Sequence, residues 1–273
     1  MSRWNGAPLT TLESPPSQSI AELYRDFPIA RTSGGTPFIN IIDDYVAYLS
    51  FANAGMLNKG NLLCFDYALS HLPSNNPIVE IGVFAGLSTN LIAYYKHKHG
   101  ISNPLFNCDR WLFEGAEQGG YIEHSHITHE EYRSFVRESY LRNVRQFTKN
   151  DLPATVELLS NEFFAAWEKC QSVTDLFGNR AQLGGPISFC FIDGDHHYEA
   201  AKRDFQNADR FLEVGGFILF DDSADGSIWE VTKVIQEVKA MPNYHVVIQN
   251  PNYLVQKTAR GSLVPSPGTP GEG

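Results

Sequence analysis

The sequence predicts an α/β fold: a mostly parallel sheet with helices on both faces and an antiparallel last strand. Two observations carry this. From Asn76 onward, short apolar runs alternate with amphipathic helical stretches, the pattern of a parallel sheet covered by helices. Near the end of the chain, His245–Gln249 and Tyr253–Lys257 flank the turn Asn250-Pro251-Asn252. They read as a β-hairpin that reverses the final strand.

The elements follow in order. Residues 1–18 are polar, contain Pro15-Pro16, and read as a flexible arm without the apolar core of a signal peptide. Helices are expected over Ile39–Ala54 and Asn61–Leu72, the second with Leu62, Phe65, Leu69 and Leu72 on one face. Residues 19–75 thus read as an N-terminal helical cap, a candidate dimer contact or substrate cover, ahead of a catalytic domain over 76–258. Strands are expected at Ile78–Ile81, Pro104–Cys108, Thr155–Leu159, Ile187–Ile192 and Phe217–Phe220. The helix His129–Phe147 groups Tyr132, Phe135, Val136, Tyr140, Val144 and Phe147 on a face. Thr128 and Glu131 form its capping box. A helix over Glu199–Leu212 turns Ala201, Phe205, Ala208 and Leu212 inward, and another spans about Gly226–Ala240. The Gly-rich insertion 114–128 reads as a lid, its His124 and His126, like the adjoining His129, without an assigned role. Residues 259–273 read as a disordered tail.

Composition narrows the function classes. A formal net charge of -10 disfavours nucleic-acid and anionic-membrane partners, which need a basic surface. No window holds the roughly 18 apolar residues of a membrane helix. Cys64, Cys108, Cys170 and Cys190 lack metal-type pair spacing and read as reduced thiols of a cytoplasmic protein. A small-molecule partner fits this surface, and a homo-oligomer is open.

The first chemical signal is Ile78-Val79-Glu80-Ile81-Gly82-Val83-Phe84-Ala85-Gly86-Leu87-Ser88-Thr89. Glycines at 82 and 86 let the backbone approach a ligand at the end of a strand. A pyrophosphate site would also want glycine at 84, where Phe84 stands. Glu80 is an acid inside an apolar strand and needs a partner. A cationic ligand, such as the methionine end of a sulfonium cofactor, suits it better than a phosphate. A tight turn with structural glycines is the plain alternative. Asp109 ends the next strand, about 20–30 residues on, where nucleotide-type folds hold a ribose diol.

The second signal is Phe189-Cys190-Phe191-Ile192-Asp193-Gly194-Asp195-His196-His197-Tyr198, followed by Asp221-Asp222 after the next strand. Parallel neighbours lie about 4.8 Å apart, so Asp193, Asp221 and Asp222 should converge. Such like charges repel unless a cation or proton joins them. An all-oxygen set suits Mg²⁺, Ca²⁺ or Mn²⁺ over zinc. The bland reading makes Asp221 a loop cap and leaves Asp222 solvated. Asp195, His196 and His197 are rival general bases at the following helix start.

Four motifs in order carry a resemblance over about 76–257: Val-Glu-Ile-Gly-Val-Phe-Ala-Gly at 79–86, Asp109, Phe-Ile-Asp-Gly-Asp-His at 191–196, and Gly-Gly-Phe-Ile-Leu-Phe-Asp-Asp at 215–222. The sequence resembles class I S-adenosylmethionine-dependent methyltransferases, and among them the metal-dependent macrocin-type sugar O-methyltransferases. The resemblance implies a Rossmann-like, seven-stranded methyltransferase sheet and metal-assisted O-methylation of a small molecule. It implies that Glu80, Gly82, Gly86, Ser88, Asp109, Ser160, Asn161 and Asp193 bind the cofactor, Ser160 and Asn161 at the adenine. It also implies that Asp193, Asp221 and Asp222 hold a divalent metal, Mg²⁺ foremost, with Asp195 as a candidate base, beside which the residues themselves offer His196 as the other catalytic candidate. The rival readings are a nicotinamide-dependent Rossmann oxidoreductase and a non-catalytic cofactor-binding protein.

Overall fold

The protein is described from a computed structural model, over residues 19–259 apart from 114, 115, 117, 118, 123 and 149 and the side chain of Ala21. The arm expected over 1–18, the tail from 260 and five positions of the expected lid lie outside the described residues.

The chain runs α1 (Ile20–Leu23), β1 (Ile29–Arg31), β2 (Pro37–Ile39), α2 (Asp44–Ala52), α3 (Asn61–Ser70), β3 (Ile78–Ile81), α4 (Leu87–His99) and β4 (Leu105–Cys108). It continues as α5 (His129–Phe147), β5 (Ala154–Val156), α6 (Ser160–Glu168), β6 (Ser172–Thr174), β7 (Arg180–Gln182) and β8 (Ile187–Ile192). α7 (Tyr198–Phe211), β9 (Leu212–Phe220), α8 (Val231–Lys239), β10 (Tyr244–Gln249) and β11 (Tyr253–Lys257) complete it.

Seven strands form one sheet in the order β10-β11-β9-β8-β3-β4-β5. β5, β4, β3, β8 and β9 are mutually parallel, while β11 runs antiparallel to both β9 and β10. The mostly parallel sheet and its reversed last strand are therefore as expected. β3 has β4 on one side and β8 on the other, and the chain winds outward from it both ways. That strand-order reversal opens a crevice at the carboxyl ends of β3 and β8, where ligands of such sheets bind.

Alternation along each strand sorts the core into two layers. Val79, Ile81, Cys190, Ile192, Ile218 and Phe220 face α6, α7 and α8 through Phe163, Trp167, Phe205 and Val234. Ile78, Phe189, Phe191, Phe217 and Leu219 face α3 and α4 through Leu62, Phe65, Leu69, Leu91 and Tyr95. Phe65 meets Phe191 edge-on at 5.0 Å between ring centroids. Helix α3 is thus half of the sheet's covering layer.

Several expected boundaries shift. The helix expected over Ile39–Ala54 begins only at Asp44, because Asp43 caps it by accepting the Tyr45 and Val46 amides. Ile39 instead pairs with Ile29 in a short hairpin. The strand expected over Thr155–Leu159 stops at Val156, since Leu158 turns back to the Val156 carbonyl and Leu159 leads into α6. The helix expected from Gly226 starts at Val231, leaving a loop after β9. On α5, Val136, Tyr140 and Val144 are buried as expected, but Phe135 is 66% exposed. It lies about 100° round the helix from Val136.

Candidate active site

The glycine loop joins β3 to α4. Gly82 has φ 79°, and a Cβ there would sit 1.9 Å from the Asp193 carbonyl oxygen, so only glycine lets the two loops touch. Phe84 occupies the left-handed region at φ 43° without being glycine. Its neighbours hold it there: Asp109 Oδ2 accepts the Val83 and Phe84 amides at 2.8 and 3.2 Å, and Trp111 Nε1 donates to the Phe84 carbonyl at 2.8 Å. Asp109 Oδ1 accepts the Trp111 amide at 2.6 Å. Asp109 therefore fastens the loop after β3 to the loop after β4. Strain of about 1–3 kcal/mol at such a residue is sustained only by contacts of this kind.

Glu80 is wholly buried in the middle of the sheet. Its Oε2 accepts from Thr89 Oγ1 at 2.7 Å and Asn107 Nδ2 at 2.9 Å, while its Oε1 has no hydrogen-bond partner among the described residues. Burial pushes this carboxyl up to about 7, against the hydrogen bonds of Thr89 and Asn107 and the nearby Ser88 hydroxyl and with the Asp109 charge adding to the rise. Behind it, Asn107 reaches Tyr140 Oη, which bonds Thr155 Oγ1 at 2.6 Å. Ser88 also stands beside Glu80.

The aspartates sit one residue beyond the paired ends of β8 and β9, where Ile192 lies opposite Phe220. Asp193 and Asp221 lie at adjacent strand ends; burial and then the charges of Asp221 and Asp222 raise the Asp193 carboxyl, and burial and then the Asp222 charge raise that of Asp221 to about 6. Asp221 Oδ1 accepts from Asn61 Nδ2 at 2.7 Å and from Asn252 Nδ2. Asp222, at φ 51°, turns to His196, whose Nε2 lies 3.1 Å from its Oδ2. The His196 ring packs on Trp229 at 4.6 Å. Burial raises the Asp222 carboxyl and His196 opposes that rise.

Other expected residues are placed differently. Asp195 is exposed and accepts the His197 amide at 2.9 Å and its Nδ1 at 2.6 Å, in the loop just ahead of α7. Ser160 Oγ is taken by Asp204, the buried carboxylate that a Cβ at Gly194 would meet at 3.0 Å. Asn161 is exposed in the first turn of α6. His124 and His126 are exposed, and the buried Nδ1 of His129 has no hydrogen-bond partner among the described residues. Asn61, Asn252, Asn107 and Trp111 are site residues that reading the sequence missed. For Asn107 and Trp111 the available signal was a polar or bulky side chain set two residues from Asp109.

The sequence profile of a methyltransferase domain matches residues 79–223, just over half the chain and every motif named above. The chain belongs to the methyltransferase-domain family. It is thus a methyltransferase, as expected, and the oxidoreductase reading falls away. Among solved structures it is similar to an O-methyltransferase from Bacillus cereus in complex with S-adenosylhomocysteine. Identity there is 14%, covering 80% of this chain and 92% of that one, with a TM-score of 0.49. It is similar to the O-methyltransferase TomG from Streptomyces achromogenes, at 12% identity over 81% and 92% of the chains, with a TM-score of 0.47. An rRNA methylase from Streptococcus thermophilus matches at 13% identity over 75% and 100%, with a TM-score of 0.45.

Among the described residues, no three His, Cys, Asp or Glu side chains form a ready metal cage. The donors nonetheless fit a divalent ion. Asp193 and Asp221 already lie at adjacent strand ends, and a cation relieves the same repulsion that a shared proton does. Among the described residues, no helix of the methyltransferase is long and apolar enough to cross a membrane.

Proposed function

We propose that the enzyme transfers a methyl group to a hydroxyl oxygen of a small molecule, of sugar or natural-product type, with the help of a divalent metal. The carrying observation is the convergence of Asp193 and Asp221, with Asp222 beside them, on the edge that also bears the glycine loop. The acidic total charge supports a small acceptor over a nucleic acid.

In this reading Gly82, Gly86 and Ser88 line the methionine end of S-adenosylmethionine, and the unpartnered Oε1 of Glu80 receives its positive charge. Asp109 meets the ribose, and Ser160 and Asn161 border the adenine. Asp193, Asp221 and Asp222 would hold Mg²⁺, which supplies the Lewis acidity that lowers the acceptor hydroxyl's pKa. His196 is the base we favour over Asp195: it stands beside Asp222, whereas Asp195 is exposed and occupied by His197. His196 takes the hydroxyl proton as the oxygen gains the methyl, and the sulfonium sulfur keeps the electron pair of its broken bond, leaving as a neutral thioether. Trp229, packed on His196, walls the acceptor side. The three buried cysteines, free thiols in this structure, suit a cytoplasmic setting.

The test is calorimetric titration of S-adenosylhomocysteine with and without Mg²⁺, with NADH in parallel, followed by turnover after chelation. Binding of S-adenosylhomocysteine but not NADH, and activity lost on chelation and restored by Mg²⁺, is the expected result. Full activity after thorough chelation would remove the metal from the mechanism.

A further inference from the structure

Two asparagines outside the aspartate motifs converge on Asp221. Asn61 is the first residue of α3 and Asn252 lies in the turn between β10 and β11; both are wholly buried. Both donate Nδ2 to the same oxygen, Asp221 Oδ1, and Asn252 Nδ2 also reaches Asn61 Oδ1 at 3.0 Å. Asn252 Oδ1 accepts the Ala224 amide at 3.1 Å, which ties down the loop behind Asp221 and Asp222. Asn250 staples the same turn to the start of α3, donating to the Ile39 and Gly60 carbonyls at 2.9 and 3.0 Å.

Burying two amides is costly unless each finds partners, and an apolar pair would fill this space without that cost. Their bonds to a carboxylate are of the stronger, charge-assisted kind. Because both fall on Oδ1, neither amide occupies Oδ2, the second oxygen of Asp221.

We infer that Asn61 and Asn252 are positioning residues, which clamp Asp221 so that one of its oxygens is presented to the divalent cation. The inference rests on the metal reading above. It also makes the first turn of α3, outside the profile match, part of the active centre.

Mn²⁺ affinity tests it without turnover, read from the electron paramagnetic resonance signal of the free ion titrated with full-length protein. Asn61→Leu, close in volume, and Asn252→Ala are compared with wild type, and calorimetric S-adenosylhomocysteine binding reports an intact fold. The expected result is Mn²⁺ binding by wild type, about 10–100-fold weaker binding by each variant, and cofactor-product binding retained. Unchanged Mn²⁺ affinity in a folded variant overturns the clamp and leaves the metal standing. No Mn²⁺ binding by wild type overturns both. Should one variant misfold, the other decides.

Discussion

Glu80 sits at the centre of the sheet with one oxygen doubly bonded and the other bare, and its carboxyl titrates near 7 where an unburied glutamate would titrate near 4.5. Between those values the folded chain holds a proton that the unfolded chain has lost, so stability falls as pH rises through the window. Glu80→Gln should remove that fall. Chemical denaturation at about pH 5 and about pH 8 should show wild type losing roughly 3 kcal/mol more than the variant. The same substitution should weaken S-adenosylhomocysteine binding about tenfold, equivalent to ~1.4 kcal/mol, measured by calorimetry. Equal pH dependence in both proteins would mean that Glu80 is not the group responsible. At Gly82, alanine would drive a Cβ into the Asp193 carbonyl, so Gly82→Ala should cost more than about 4 kcal/mol and yield little soluble protein. Glu80, Asp193, Asp221 and Asp222 were legible in the sequence because a charge against an apolar run demands an explanation. Asn61 and Asn252 were not, because asparagine at a helix start or in a turn already has an ordinary local reason.

Helix α5 shows what an element owes to its ends. Thr128 and Glu131 cap each other reciprocally, Glu131 accepting the Thr128 amide at 2.8 Å and Thr128 Oγ1 accepting the Glu131 amide at 3.2 Å. The helix carries Tyr140 and Val144 against Gly86, and Asn143 Nδ2 donates to the Ala85 carbonyl at 2.8 Å. Loosening its start should therefore be felt at the glycine loop. Thr128→Ala should lower stability by about 1 kcal/mol in urea unfolding and weaken cofactor-product binding in step. Both bounds of α5 were readable, since the capping box and the apolar period agree. The hairpins of β1 with β2 and β6 with β7 were not, because each strand has three residues and none is fully apolar-faced. Helix α2 was drawn too long because its apolar period runs past the Asp43 cap.

At the scale of the molecule, the layer of α3 and α4 closes one face of the sheet, so the segment before β3 cannot be a detachable addition. Phe65→Ala should cost about 3–5 kcal/mol and lower the midpoint of one cooperative transition, followed by circular dichroism. Two separate transitions would show α3 folding as its own unit. That the runs after Asn76 form a parallel sheet was legible from their alternation with helices. The position of β8 beside β3 was not, since no local signal says that the chain recrosses its first strand; the family resemblance implied it. The sheet's completion by β11 has a consequence for how the protein is made. Asn61 and Asn252 are 191 positions apart, so α3 leaves the ribosome long before the turn that meets it. A nascent chain halted before that turn already carries Asp193, Asp221 and Asp222, yet lacks one of the two amides that meet Asp221.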